Sequence, residues 1–183
     1  MKLLIAFCIT AIIAFAVFAQ APSVDNLQSK PTVETDPDAY QVYATVIGRG
    51  LTDAPNGIIT IQRETESFSR ATISNIGISG DRTFQKAWGS TLENFVERMR
   101  TPRILIGPIP MNSRYELVPM AQVSAPYYSV SSVGFNRAKT KAIVDLGHHC
   151  GGLCGGGQPH FLEKKNGKWT EVKVSADIEV WVS

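Results

Sequence analysis

The sequence predicts an α+β fold, with two main helices packed on a C-terminal antiparallel β-meander. Three observations lead there. Helix caps and apolar residues at helical spacing are confined to the N-terminal part of the chain. From Tyr127 onward the apolar period becomes that of strands. Asn166-Gly167 is the strongest short hairpin signal present. Strands that follow helices, with no βαβ alternation, belong to the α+β class.

The N-terminus reads as a signal peptide over residues 1–19. Met1-Lys2 supplies one positive charge, Leu3 to Phe18 is apolar apart from Cys8 and Thr10, and Val17-Phe18-Ala19 suits a signal peptidase. Cutting after Ala21 would set Pro22 beside the scissile bond, so the cut is placed after Ala19. The apolar run is shorter than the roughly 20 residues that span a bilayer. No basic stop-transfer cluster follows, so no transmembrane segment is expected after cleavage. Cys8 follows Phe7, where lipidation requires a small residue. The expected location is secreted or periplasmic. Residues 20–35 are polar and aperiodic, a mobile leader, and residues 36–183 form one α+β domain.

Asp36-Pro37-Asp38 starts the first helix with an Asp cap, Pro in the first turn and a second carboxylate near the positive dipole end. Tyr40, Tyr43, Ala44 and Ile47 share a face, and Gly48 and Gly50 stop the element. Val42, Thr45, Val46 and Ile47 would suit a strand, but the capping favours a helix. Ile58–Ile61 is a strand after the Pro55-Asn56-Gly57 turn, and Ser67–Ile78 reads as strand or loop. Ser90-Thr91-Leu92-Glu93 matches a capping box, so the second helix is expected to begin there. Leu92, Phe95, Val96 and Met99 form its core stripe, and it ends before Pro102. Residues 102–126, with prolines at 102, 108, 110, 119 and 126, read as loops around short extended pieces such as 103–106.

Ser129–Phe135 is the first meander strand. Its apolar parity changes between Val130 and the Val133/Phe135 pair, which marks a bulge. Asn136–Lys139 turns the chain into Lys141–His149. Pro159–Lys165, Lys168–Val174 and Ile178–Val182 complete the meander. A two-residue turn at Asn166-Gly167 sets Leu162 opposite Glu171 and Phe161 opposite Val172, and makes the Phe161, Val172 and Val174 side the expected buried face.

Charge excludes one class of partner. Removing Lys2 with the signal leaves 17 basic against 16 acidic side chains, interspersed, so no field steers the chain onto nucleic acid or an anionic membrane.

Chemistry concentrates in one run: His148, His149, Cys150, Gly151, Gly152, Leu153, Cys154, Gly155, Gly156 and Gly157. With Cys8 removed, two thiols remain. At a hairpin tip, three intervening residues bring the α-carbons near 5 Å, inside the roughly 4.4–6.8 Å that a disulfide tolerates. Glycines relieve the turn by adopting positive φ, and closure contributes about 2 kcal/mol on the chain-entropy model. The rival is a zinc site built from His149, Cys150, Cys154 and His160. Neighbouring strand residues face opposite ways, so His148 and His149 cannot both reach one ion. Thiol exchange favours two residues between cysteines at a helix N-terminus, and a Cys150 nucleophile with His149 as base fails once the thiols are bridged. Gly155–Gly157 could form an anion-binding nest. Ser79 lacks the spacing of a nucleophile elbow. Trp88, Trp169 and Trp181 read as packing residues, and no cofactor motif is present.

Ser132-Val133-Gly134-Phe135-Asn136, the Cys150–Gly157 block and Leu162-Glu163-Lys164-Lys165-Asn166-Gly167-Lys168-Trp169 together resemble a set of uncharacterised bacterial secreted proteins carrying these blocks in the same order. The resemblance covers residues 129–183, with a weaker match at Tyr40–Val46. It implies an exported bacterial protein and brings no functional residues with it. A meander closing on Lys-x-Asn-Gly-Lys-Trp is similar in outline to nuclear-transport-factor-like cones, an analogy of shape only. The function expected is a non-enzymatic binding or structural module that meets a protein, peptide or small molecule through its disulfide-tipped hairpin. The alternative is a metal- or thiol-dependent enzyme using His148, His149, Cys150, Cys154 and His160.

Overall fold

The structure, a computed structural model, describes residues 30–48, 57–67, 79–80, 82–152, 154–174, 176–177 and 181–182. The expected signal peptide, residues 20–29 of the leader, Gly50, the stretch 68–78 and Leu153 lie outside the described residues. Among the described residues, two α-helices accompany a curled mixed sheet in the form of a half-barrel, an α+β fold.

Strand pairing precedes the first helix. β1 (Thr32–Val33) pairs in parallel with β4 (Arg103–Ile104), so part of the stretch expected to be a mobile leader is built into a sheet. The cause is Glu34, 2% exposed, which accepts from Arg98 Nη2 at 2.9 Å and ties this segment to the second helix. α1 (Pro37–Ile47) starts where its cap requires, with Asp36 accepting from Asp38 N at 3.0 Å. Its buried set is wider than the expected face, taking in Ala39, Val42 and Val46. The β-branched Val42 and Val46 sit in a helix because tertiary burial outweighs their modest propensity cost.

α2 (Arg82–Arg98) corrects the expected start. It begins at Arg82, and Ser90 lies exposed in its interior instead of capping it. Phe84 and Trp88 lengthen the apolar stripe by two turns and meet Phe161 edge-on, at 5.8 and 5.2 Å between ring centres. Burying two aromatic side chains exceeds the ~1 kcal/mol that Gly89 costs a helix interior.

The main sheet runs in the order β10 (Lys168–Glu171), β9 (Cys154–Lys165), β8 (Lys141–Gly151), β6 (Tyr127–Val130), β2 (Ile58–Gln62), β5 (Arg114–Val118). The β8–β9–β10 portion is the expected antiparallel meander, but β2 pairs in parallel with both β5 and β6. The last strand also departs from expectation. β11 (Ala176–Asp177) leaves to pair with β3 (Ser79–Gly80), and β12 (Trp181–Val182) returns to pair with β9 at Gly157 and Gly156.

Both faces of the meander are covered. Asn166 and Gly167 take positive φ, and Leu162 lies opposite Glu171 as the turn requires. Phe161 packs with Ile143 under α2, with Val172 and Val174 at the margin. Leu162, on the opposite side, packs with Ala142, Val144, Leu146 and Trp169 under α1. The expectation of one buried face therefore gives way to two, and the unbroken buried run Ala142–Leu146 belongs to a strand sandwiched between helices.

The expected bulge is present. Val130 lies opposite Leu146, and β7 (Gly134–Phe135) places Gly134 opposite Ile143, so four steps along one strand match three along its partner. Gly134 is where α2 touches the sheet. A Cβ there would lie 2.3 Å from Phe95 Cα.

Burial pushes the Asp38 carboxyl up, but hydrogen bonds from Lys164 and Trp169 and the Lys164 charge outweigh it, leaving the group below its ordinary range. Glu64 behaves alike, burial being outweighed by the Met120 amide and Arg63. Groups with depressed folded values stabilise the fold above their unfolded values, near 4. That contribution is lost as pH falls through the folded values.

Three outcomes follow. Gly134→Ala lowers the unfolding free energy by about 2–3 kcal/mol in urea titration, because helix backbone must move. The urea midpoint declines below about pH 4, and Lys164→Met reduces the Asp38 part of that decline. Thr91 is fully buried and its hydroxyl has no hydrogen-bond partner among the described residues, so Thr91→Val is neutral or stabilising by up to about 1 kcal/mol.

Candidate functional site

β8 and β9, flanked by β6 as far as His149 and by β12 at Gly156, close on Cys150–Cys154, a disulfide with Cα atoms 5.2 Å apart. The pairing shifts between His149 and Gly151, where the hairpin narrows to its tip. Gly151 and Gly152 take φ of 95° and 57°, so they supply the left-handed turn. The glycine loop is shorter than expected. Gly155, Gly156 and Gly157 belong to β9 and pair with His149, His148 and Gly147. Amides committed to an extended ladder do not converge on an anion, so these glycines form no nest. Leu153 lies outside the described residues.

The two histidines part company as alternation demands. His148 lies on the α1 face against Tyr128, with ring centres 4.8 Å apart. His149 lies on the α2 face, stacked on Tyr127 at 4.4 Å and 10°. Its Nε2 is 2.8 Å from Ser129 Oγ, and Ser129 Oγ donates to Glu66 Oε1 at 2.6 Å. Glu66 Oε1 is also 3.4 Å from His149 Nε2, so the three groups close a triangle.

The direction of the protons decides what this triangle can do. With the serine proton given to Glu66, Ser129 Oγ accepts from His149, which places the imidazole proton on Nε2. In serine activation the imidazole takes the hydroxyl proton instead. Ser129 is also fully buried, out of reach of a substrate. The triangle is therefore a brace. It joins the hairpin just below its tip to the segment after β2 and holds the His149 ring against Tyr127.

The four residues of the rival zinc reading do not converge. Both sulfurs are bonded to each other and cannot act as thiolates. His160 lies opposite Val144, six residues along β9 from Cys154, or about 20 Å of extended chain. There its Nδ1 is 2.6 Å from Glu171 Oε1. Among the described residues no group of three or more His, Cys, Asp or Glu is placed to hold a metal ion. The bridge equally removes Cys150 as a nucleophile for His149 to activate.

A separate groove of about 440 Å³ lies between α1 and the 106–110 loop, lined by Pro37, Tyr40, Ile106, Pro108 and Pro110 among others. It shares no residue with the hairpin tip. The Tyr40 hydroxyl at its wall is committed, donating to Glu34 O and accepting from the amides of Ile106 and Gly107.

Sequence reasoning found the disulfide and both histidines but missed Tyr127, Ser129 and Glu66. The Gly134–Ile143 register, carried on without interruption, would set Tyr128 opposite His149. The bulge sets Tyr127 there instead and brings Ser129 onto the same face. The parity change was the available signal, but not its extent. No family model, no curated protein and no solved structure matches the chain.

Ser129→Ala removes the brace. The expected result is a loss of about 1–2 kcal/mol in chemical denaturation, with NMR shift changes concentrated at His149 and Tyr127 while His160 stays unchanged.

Proposed function

We propose that this protein is exported and acts as a non-enzymatic binding or structural module, with the disulfide-closed end of β8–β9 as its contact site. The observation that carries this reading is the construction of that end. A covalent bridge closes the tip, His149 is braced and stacked on Tyr127, and His148 lies tilted against Tyr128. A contact surface already held in one conformation loses little entropy when it binds. Gly151, Gly152 and Cys154 are exposed at the tip, so the bridged turn itself is available to a partner.

Export is supported by the residue pattern of the first nineteen positions and by the bridge, which persists in oxidising compartments. Among the described residues no helix is long and apolar enough to cross a membrane. The likeness of the Val133–Asn136, Cys150–Gly157 and Leu162–Trp169 blocks to bacterial secreted proteins supports the same placement. A cone-like outline is in keeping with a curled sheet that carries helices, and belongs to this reading.

Two measurements test it. Cells expressing the full chain should release a species beginning at Gln20 that resists alkylation until reduced. Recovery of an uncut chain with two reactive thiols from the cytosol would sink the export reading. A photo-crosslinking residue at Gly152 should form adducts in the envelope or medium that the same residue at Lys173 does not. Equal or absent adducts at both positions would remove the tip as the contact site.

A further inference from the structure

A bridged pair of cysteines holds no nucleophile, but its sulfurs remain electrophiles toward an incoming thiolate. The hairpin tip presents the two sulfurs unequally. Cys154 is exposed, whereas Cys150 is half-buried. Chain on the β6 side accounts for the difference. β6 sets Tyr127 opposite His149, and the Ala125 Cβ lies 3.5 Å from where a Cβ on Gly151 would be. Residues 125–127 therefore run beside Cys150, which falls at the register shift between His149 and Gly151. Exchange at sulfur is an in-line displacement, with the thiolate arriving from behind the sulfur it attacks. The bridge joins β8 to β9 crosswise, so attack on Cys150 Sγ must come from the β6 side, where residues 125–127 stand. Attack on Cys154 Sγ comes from the other side, which β12 flanks at Gly157 and Gly156, below the exposed cysteine.

We propose that the tip captures a partner bearing an accessible cysteine thiol, and that it does so covalently through Cys154. The proposal rests on the reading of the tip as the contact site. The partner's thiolate attacks Cys154 Sγ, a mixed disulfide forms between the partner and Cys154, and Cys150 leaves as the thiolate. One S–S bond breaks as another forms, and the negative charge passes from the partner to Cys150. The step therefore consumes no separate oxidant or reductant. Cys150 reverses it by attacking Cys154 Sγ and expelling the partner.

The surrounding structure suits a reversible step. Backbone pairing carries β8 and β9 as far as His149 and Gly155, with β6 and β12 on either side. The Ser129 brace and the Tyr127 ring hold His149 without help from the bridge. Closing so short a loop also constrains the unfolded chain less than closing a long one, so the fold depends little on it. With the ladder intact, the freed Cys150 stays beside Cys154 at the high effective concentration of an intramolecular neighbour. Capture through Cys154 thus leaves its own release group in place.

The test uses the purified oxidised protein, with glutathione as the probe thiol at neutral pH. Samples are quenched with N-ethylmaleimide and mapped by peptide mass spectrometry. Glutathione on Cys154 with maleimide on Cys150 should exceed the reverse arrangement about tenfold or more. In urea that preference should vanish, because access in the folded chain sets it. NMR should still show the contact between Tyr127 and His149 in the glutathione adduct. A bridge that resists glutathione while the urea-unfolded chain exchanges overturns the proposal. So does glutathione shared equally or held mainly by Cys150 in the folded chain, a preference that persists in urea, or loss of the Tyr127–His149 contact. Export and the crosslinks at Gly152 are read separately, so failure here with those crosslinks intact leaves the tip a noncovalent contact site.

Discussion

The extra residue between Val130 and Gly134 is the constraint on which the rest of the structure depends. On one side of it, Gly134 and Phe135 hold the register that lets α2 lie against bare backbone. On the other side, Tyr127–Val130 hold a register shifted by one, which turns Ser129 and Tyr127 toward His149. The shift is held from three directions. The Tyr43 hydroxyl of α1 donates to Ser131 O at 3.2 Å, Asp145 N donates to Ser131 Oγ at 2.8 Å, and Thr65 meets Ser132 at 3.2 Å. Burial and the nearby Glu34 carboxylate push the Tyr43 phenol well above its ordinary value, so it stays a donor throughout the working pH range.

From that joint the molecule divides its labour. Below it, helices cover both faces of the meander, and a buried run in β8, apolar except for Asp145, supplies two cores with alternate side chains. Beyond it, the same two strands leave helical cover. Short-range devices take over there: a disulfide, two positive-φ glycines, two His–Tyr contacts and a buried hydroxyl bridging imidazole to carboxylate. With β6 on one side and β12 on the other, these contacts fix the tip beyond the reach of the two cores.

Several motifs that stand out in the sequence turn out to shape the scaffold. Gly134 admits the Phe95 backbone, and Asn136 Oδ1 accepts from the amides of Thr140 and Lys141 to close its turn. Asn166-Gly167 turns the last hairpin, and Trp169 reaches Asp38 while packing on Phe135 at 5.6 Å. Gly155–Gly157, conspicuous as a run, are strand residues.

What the sequence alone determined was local. The Asp36 cap, the Asn166-Gly167 turn, the Cys150–Cys154 spacing and the opposed directions of His148 and His149 each act through a few consecutive residues, and each is found in the structure. The tertiary structure decided everything that rests on distant partners. Phe161 drew α2 back to Arg82 past an apparent cap, and β5 joined β2 in parallel from a proline-rich stretch. A one-residue slip, fixed by α1 and β8 together, chose which tyrosine meets His149. The physical reason is that a cap or turn satisfies its own backbone groups. Register and face, by contrast, have no local energy difference until another element arrives to bury one side.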